Sequence, residues 1–268
     1  MKRLTFALLI LALVLGTGSW ALAQGGTIKG VVKFTGQKAP RNRLIRMGAD
    51  PQCMQLHKGE KVYQEVVVVN PNGTLKNVFV HIKSGLSGKF NPPKEPAVLD
   101  QRGCLYHPRV LGVMVGQKLV AKNSDPTLHN VHAWSKKGNS FNVAQPVQGM
   151  TSEFLMKEEE VMLQVKCDVH PWMIGYVGVV PHPFFAVTGD DGSFEIKNVP
   201  PGKYILQAWQ ERYGALTKEV TVKAGETVTV EFAYTGSEKA ELNPGFTIRE
   251  LHLHPNSTVM FIPKARRK

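Results

Sequence analysis

The sequence has few cysteines and no long amphipathic repeat. Its 268 residues include only 3 cysteines, and no C-x-x-C-H motif occurs, which excludes covalent attachment of a c-type haem. No segment keeps a period of 3.6 residues, so we expect a fold that is nearly all β. A Ser-His-Asp order, a paired-carboxylate pattern and a phosphate-binding loop are also lacking. We therefore expect a protein that is not a hydrolase, a transferase or any other enzyme.

Long apolar runs are confined to the start of the sequence. Lys2 and Arg3 precede the apolar run 8–15, and Ala21-Leu22-Ala23 has the form of an A-x-A cleavage site, so residues 1–23 are predicted to be a signal peptide. The run is too short for a stable membrane span, and no cysteine follows the cleavage site to carry a lipid. We expect export to a bacterial periplasm, without a transmembrane segment.

The charge balance is basic. The formal net charge is +12 and falls to +10 when Lys2 and Arg3 are removed with the leader. Such a surface favours acidic proteins or anionic membrane surfaces as partners, and the alternative is that the charge only aids solubility. We expect no nucleic-acid partner, because export removes that target and no nucleic-acid-binding motif occurs.

One short stretch combines three soft or borderline metal ligands. Cys167, His170 and Met173 are spaced C-x2-H-x2-M within seven residues. A thiolate and imidazoles with a weakly bound thioether form the ligand set of copper electron-transfer sites, which needs one further histidine. His129 and His132 both lie upstream, at the end of one predicted strand, and either could supply it.

These residues carry a resemblance to a known family. Residues 116–125, followed by His-Asn at 129–130, resemble the middle of a cupredoxin, and the loop 167–173 is similar to that of the amicyanin type. The likeness covers about residues 95–181 and implies a Greek-key β-sandwich that holds one copper ion. The histidine that precedes an asparagine fits the family pattern. The implied ligands are His129, Cys167, His170 and Met173.

The same resemblance implies roles for the residues next to the ligands. Asn130 is expected to brace the loop that carries Cys167. Pro171 and Trp172 are expected to form a docking surface, with the electron leaving through an exposed edge of His170. Met173 is expected to belong to the same solvent-facing collar.

A second family resemblance lies further along the chain. The turn at 188–192, the strand at 193–196 and the segment 199–206 resemble the carboxypeptidase regulatory-like family, a small transthyretin-like sandwich. The first two strands of such a sandwich are missing just upstream, whereas suitable strands occur at 30–34 and 78–82. This pattern predicts that the cupredoxin is inserted into the regulatory-like sandwich; a tandem order with an N-terminal extension is the alternative. The predicted segments are 24–90 (first strands), 91–181 (cupredoxin), 182–235 (regulatory-like sandwich) and 236–268 (tail).

The remaining cysteines and histidines have separate interpretations. Cys53 and Cys104 form an even pair once Cys167 is assigned to copper, and a structural disulfide is expected in an oxidising compartment. The alternative is that Cys53 joins His57 in a second metal site. His252 and His254 lie on one face of a predicted terminal strand, where an exposed polar face is the expected role.

The sequence therefore predicts an exported, mononuclear blue-copper protein that carries single electrons between redox partners. The expected partner is an acidic redox protein. Two alternatives stay open at this stage. In one, the protein is a binding or scaffold component associated with the cell envelope, and its copper is structural. In the other, it is a periplasmic copper carrier.

Overall fold

The computed structural model describes residues 24–238, and in this range the fold is all β, as predicted. The helical elements of this range are a 3-10 helix at Met47–Ala49 and one α-helix, α1, at Pro51–Leu56. The strands are β1 (Gly26–Phe34), β2 (Val68–Val69), β3 (Leu75–Lys76), β4 (Phe79–Ser84), β5 (Ala97–Arg102), β6 (Leu105–His107), β7 (Val110–Met114), β8 (Lys118–Asn123), β9 (His129–Ala133), β10 (Phe141–Gln145), β11 (Thr151–Leu155), β12 (Glu160–Lys166), β13 (Ile174–Val180), β14 (Phe185–Val187), β15 (Ser193–Val199), β16 (Gly202–Gln210), β17 (Gly214–Val222) and β18 (Thr227–Tyr234).

The strands β5 to β13 form a sandwich that we call the central sandwich. One sheet has the order β10-β9-β12-β13-β7 and the other the order β11-β8-β5-β6. Two pairs in it are parallel, β5 with β8 and β7 with β13, so the chain crosses between the sheets as in a Greek key. Alternate residues of the strands point inward and fill a shared core, which includes Leu99, Leu119, Val131, Val165 and Val177.

The remaining long strands form a second sandwich, which we call the outer sandwich. Its sheets have the orders β15-β1-β18 and β14-β4-β16-β17. The core between them contains Ile28 from β1, Val80 from β4, Leu206 from β16 and Phe232 from β18, all fully buried. The outer sandwich therefore takes strands from both sides of the central one.

This strand pairing is that of one sandwich inserted into another. β4 pairs with β14, which places Phe79 opposite Val187 although the whole central sandwich lies between them in the sequence. A tandem order would leave β1 and β4 outside the outer sandwich. The segment boundaries at residues 91, 182 and 236 stay predictions.

The two sandwiches share an apolar interface. Gly112 on β7 and Gly178 on β13 are register partners, and the rings of Phe185 and Phe79 pack on them so closely that a Cβ at either glycine would overlap a ring. Beside this contact, Arg109 forms a two-pronged ion pair with Glu211, which lies in the turn between β16 and β17. The side chains of the pair are 11% and 12% exposed, so the ion pair is largely buried in the interface.

Two further findings concern the sequence-based predictions about membranes and termini. Among residues 24–238 no helix is both long and apolar enough to cross a membrane. The predicted signal peptide at 1–23, and His252 and His254 in the tail, lie outside the described residues.

Candidate metal centre

The candidate ligands meet at one end of the central sandwich. His129 is the first residue of β9, and Cys167 directly follows β12, which pairs with β9. His170 and Met173 lie in the loop between β12 and β13. All four side chains are buried, with at most 2% of each residue exposed. Adjacent strand ends thus bring together residues that are up to 44 positions apart in the sequence.

Three ligand atoms converge in this pocket. His129, Cys167 and His170 each offer one atom, and these atoms lie within 4.8 Å of one another. The Nδ1 atoms of His129 and His170 are 3.1 Å apart, and Cys167 Sγ lies 3.7 Å from His170 Nδ1. Two imidazole nitrogens and one sulfur therefore face a common point.

The far side of each imidazole ring is held by a carboxylate. His129 donates from Nε2 to Asp125 Oδ2 at 2.9 Å, and His170 donates from Nε2 to Asp50 Oδ2 at 2.9 Å. Histidines that bind metals usually donate their other ring N–H in this way, which fixes the tautomer and the ring orientation. Both Nδ1 atoms consequently face the cluster, where each can offer a lone pair to a metal once it carries no proton.

The thiol of Cys167 is prepared to ionise. Its sulfur accepts backbone N–H groups from Asn130 at 3.3 Å and from His170 at 3.4 Å. Burial would raise the pKa of this thiol, but the hydrogen bonds from His129, His170 and these amides outweigh it and lower the pKa to about 6. Thiolate is the form of cysteine that binds metals.

The contacts with Cys167 and with the carboxylates also shift the pKa values of His129 and His170. Burial would lower the pKa of His129, but hydrogen bonds with Asp125 and Cys167 outweigh it and raise the pKa to about 8. The pKa of His170 is also raised, because contacts with Cys167 and Asp50 exceed the effect of burial. Without a metal the centre therefore favours an imidazolium beside a thiolate, and a bound cation would displace that proton.

The ligand loop closes on itself at Met173. The Met173 N–H donates to the His170 carbonyl at 2.9 Å, and the Met173 carbonyl accepts from the Cys167 N–H at 3.1 Å. Met173 is fully buried and belongs to the core of the central sandwich. The backbone thus fixes the thioether residue next to the three converging ligands.

The residues that follow His129 point in different directions. Asn130 braces the ligand loop, because its side-chain oxygen accepts the Asp168 N–H at 3.2 Å. His132 lies on the opposite side of β9 from the cluster, and its Nδ1 atom forms a partly exposed hydrogen bond with Asp168 at 2.8 Å. The strand phase therefore places His129 in the cluster and His132 outside it.

The segment between β1 and β2 covers this end of the sandwich. We call residues 38–63 the cap. Asp50 caps the N-terminus of α1 by accepting from the Gln52 and Cys53 amides, and its second oxygen holds His170. Ile45 and Met47 bury their side chains in the core of the central sandwich. The cap is therefore packed on the candidate centre.

Because the cap covers the ligand loop, His170 and Met173 in this loop are less exposed than the sequence predicted. His170 is 1% exposed and Met173 is fully buried, so the prediction of an open His170 edge and a solvent-facing Met173 is wrong. Pro171 is exposed and Trp172 is half-buried. The Trp172 ring centroid lies 5.2 Å from that of His170, and its Nε1–H donates to the Cys104 carbonyl at 3.0 Å.

The remaining two cysteines form a disulfide that anchors the cap. Cys53 on α1 is joined to Cys104, and both are fully buried. Cys53 Sγ lies 3.5 Å from His170 Nε2, so the bridge is in contact with the cluster. His57 instead donates to the Gly103 carbonyl at 2.6 Å, and the alternative of a Cys53–His57 metal site is wrong.

Asp50 and Asp125 were missed by the sequence reasoning. Asp125 is buried and also accepts the amides of Gly103 and Cys104, at 2.7 and 2.8 Å. A local signal existed for each: Asp50 precedes Pro51 in an N-cap pattern, and Asp125 stands four residues before His129. Neither signal identifies the histidine that the carboxylate contacts.

Comparison with a family model identifies one part of the chain. Residues 180–235 match the carboxypeptidase regulatory-like domain, as predicted. This range contains β14 to β18 and so supplies most of the outer sandwich. No curated protein matches the sequence.

Several solved structures resemble part of the chain. A purple cupredoxin from Nitrosopumilus maritimus is 26% identical over 31% of this chain and 98% of its own, with a TM-score of 0.28. A mutant amicyanin in its Cu(I) form is 21% identical over 37% of this chain and 97% of its own, with a TM-score of 0.29. A copper-containing nitrite reductase from Thermus scotoductus is 18% identical over 36% of this chain and 25% of its own, with a TM-score of 0.30.

Proposed function

We propose that the protein is an electron carrier that holds one copper ion through His129, Cys167, His170 and Met173. The observation that carries the proposal is the convergence of two Nδ1 atoms and one sulfur within 4.8 Å. Carboxylates occupy the other ring nitrogens, so these are the atoms left to bind a metal. When bound, copper supplies a one-electron couple suited to soft sulfur and imidazole ligands.

The surroundings favour electron transfer over catalysis and over copper delivery. The candidate ligands are buried, and with four protein donors the centre would leave no open position for a substrate. The cap, fastened by the disulfide, excludes water from His170 and favours retention of the ion rather than its release. The hydrogen bonds to Asp50, Asp125 and the Cys167 sulfur hold the donors in place in either oxidation state.

The proposal includes a location outside the cytoplasm. The disulfide between Cys53 and Cys104 supports an oxidising compartment, in which such bridges persist. Together with the leader-like sequence at 1–23, it supports export to the periplasm. We propose an acidic redox protein as the partner and no enzymatic reaction at the centre.

The experiment loads residues 24–268 with Cu(II). We expect intense visible absorption from thiolate-to-copper charge transfer, a reversible one-electron wave in protein-film voltammetry, and loss of the colour in Cys167→Ser. Circular dichroism of that variant checks that the sandwiches still form. A protein that takes up no copper, or a colour that survives Cys167→Ser, would contradict the proposal.

A further inference from the structure

The outer face of the cap is unusually apolar for a solvent-exposed segment. Leu44 is 45% exposed and Tyr63 is 49% exposed, and the two are partners across an antiparallel bridge. Met54 and Leu56 on α1 are 50% and 38% exposed. The inner residues of the same segment are buried in the core, whereas Leu44, Met54 and Tyr63 leave apolar surface uncovered on its outer side.

The cap carries an excess of cations. Residues 38–63 contain six lysines and arginines but only two carboxylates, and one of these, Asp50, is engaged with His170. Arg43 and Arg46 are exposed on either side of Leu44. An apolar centre with a charged rim is the usual composition of a protein docking site, and in the cap the cations outnumber the carboxylates. It is complementary to an acidic partner.

The cap also provides a short connection between the candidate centre and the solvent. Asp50 joins His170 through a hydrogen bond of 2.9 Å, and its side chain is 22% exposed, whereas that of His170 is 2% exposed. Trp172, which is half-buried next to His170, donates to Cys104 and so lies on the side of the disulfide. One route outward from His170 therefore passes through Asp50 at the base of α1.

We propose that the outer face of the cap is the docking surface for an acidic redox protein, with Asp50 as the group between His170 and the partner. This proposal rests on the proposed function, because it supposes that the centre exchanges electrons. The partner buries Leu44, Met54 and Tyr63, and its carboxylates face Arg43 and Arg46. Pro171 and Trp172 form only an edge of this surface rather than the whole of it.

The first experiment maps the surface without copper. Hexacyanochromate(III), a paramagnetic trianion, broadens the amide signals of residues near which it resides. We expect broadening in copper-free protein at Arg43, Arg46 and Met54, and its loss in Arg43→Glu/Arg46→Glu. The matched control is Lys203→Glu/Lys218→Glu, which makes the same charge change on exposed residues of the outer sandwich and should keep the pattern.

The second experiment measures electron exchange in the copper-loaded protein by stopped flow. At low ionic strength, Arg43→Glu/Arg46→Glu should slow oxidation of the Cu(I) protein by hexacyanoferrate(III) about tenfold, because local charge steers the encounter. The same variant should accelerate oxidation of the Cu(I) protein by a cationic cobalt(III) complex. The Lys203→Glu/Lys218→Glu control should change both rates much less. Equal effects of the two charge reversals would overturn the proposal.

Other results distinguish this proposal from a failure of the proposed function, from a different docking site and from a different occupant of the cap. If copper does not load but the anion still maps to the cap, the proposed function fails and the docking face stands as an anionic-partner site. If copper loads and cycles but broadening centres on exposed Leu128 and Val169 instead, the docking proposal alone fails. Cap-dependent sedimentation with phosphatidylglycerol vesicles, or a dimer abolished by Leu44→Ser/Tyr63→Ser, would also overturn it, by showing a membrane surface or a second copy as the occupant.

Discussion

Two histidines three residues apart on β9 have opposite environments, and this difference can be tested. His129 is fully buried with its Nδ1 directed at Cys167 and His170, whereas His132 is paired with Asp168 at the surface. We expect His129→Ala to abolish the charge-transfer absorption and His132→Ala to retain it. Visible and electron paramagnetic resonance spectra of the two copper-loaded variants check this. Loss of the spectrum in His132→Ala alone would contradict the assignment of His129.

A different histidine should make stability depend on pH. His81 in the outer sandwich is buried, and its Nδ1 has no hydrogen-bond partner among the described residues. Burial, with a smaller effect of His182, lowers the pKa of His81 from 6.5 to about 4, even though a hydrogen bond to Gln207 opposes the shift. The unfolded chain therefore binds a proton at a pH where the folded protein does not, and stability is lost as the pH falls from 6.5 to 4.

The loss at His81 can be measured by urea unfolding. It amounts to roughly 3 kcal/mol across this window if the full shift is realised. His81→Gln should flatten the dependence of the free energy of unfolding on pH between these limits. An unaltered slope in His81→Gln would show that His81 is not the group responsible.

At the scale of single residues, the sequence identified the site residues that belong to short local motifs. The C-x2-H-x2-M pattern and the asparagine after His129 indicated five residues that the structure places at one end of the central sandwich. Asp50 and Asp125 could not be found in the same way. The carboxylate of Asp50 contacts a ring nitrogen of His170, which is 120 residues away in the sequence. The contact of Asp125 depends on which side of β9 His129 faces.

Among the elements, the cap depends on a single covalent link. Cys53 and Cys104 are 51 residues apart, and a bridge that closes such a loop contributes about 4 kcal/mol. We expect Cys53→Ser/Cys104→Ser to lower the free energy of unfolding by about this amount and to speed removal of copper by a chelator. Denaturant titration and stopped-flow absorbance measure the two effects, with Cys167 the one free thiol of the unmodified protein.

The single variant Cys104→Ser, which breaks the link but leaves the cap sequence and Cys167 unchanged, is the matched control for the double serine variant. It should show a similar loss of stability, because both variants lack the link. An unchanged rate of copper removal in both would mean that the cap does not restrict access to the centre.

The strands were easier to predict than the cap. Alternation of apolar and polar residues marks β1 and β16, since one face of each is buried in the outer sandwich. α1 has six residues, which is less than two helical turns, so no periodicity could reveal it. The cap also owes its position to the disulfide and to Asp50, which are contacts across the molecule rather than along the chain.

For the whole molecule, the ion pair between Arg109 and Glu211 couples the two sandwiches. Arg109 also donates to the Ile174 carbonyl at 3.1 Å, next to the end of the ligand loop. Arg109→Met would leave Glu211 buried without its partner, and we expect a loss of about 3 kcal/mol, as for other broken buried pairs. Arg109→Met/Glu211→Leu should recover much of this loss, because no buried charge then remains.

Calorimetry distinguishes the coupled case from independent sandwiches. The wild-type protein should unfold in one transition, and Arg109→Met should separate it into two or broaden it. If the wild-type protein already shows two transitions, and Arg109→Met shifts only one of them, the interface does not couple the sandwiches. The insertion itself could be anticipated, since two strands of the regulatory-like pattern were missing where a tandem order needs them.

The pairing of β1 with β18 constrains the order in which the molecule can form. β1 lies between β15 and β18, so apart from one bridge between Lys33 and Thr74 the first strand has no partner until residues 193–234 are available. The central sandwich, in contrast, is closed entirely by pairs among residues 97–180. During synthesis or translocation from the N-terminus, the candidate centre therefore assembles while β1 is still unpaired. The outer sandwich closes last, and slowly, because its contacts span most of the chain.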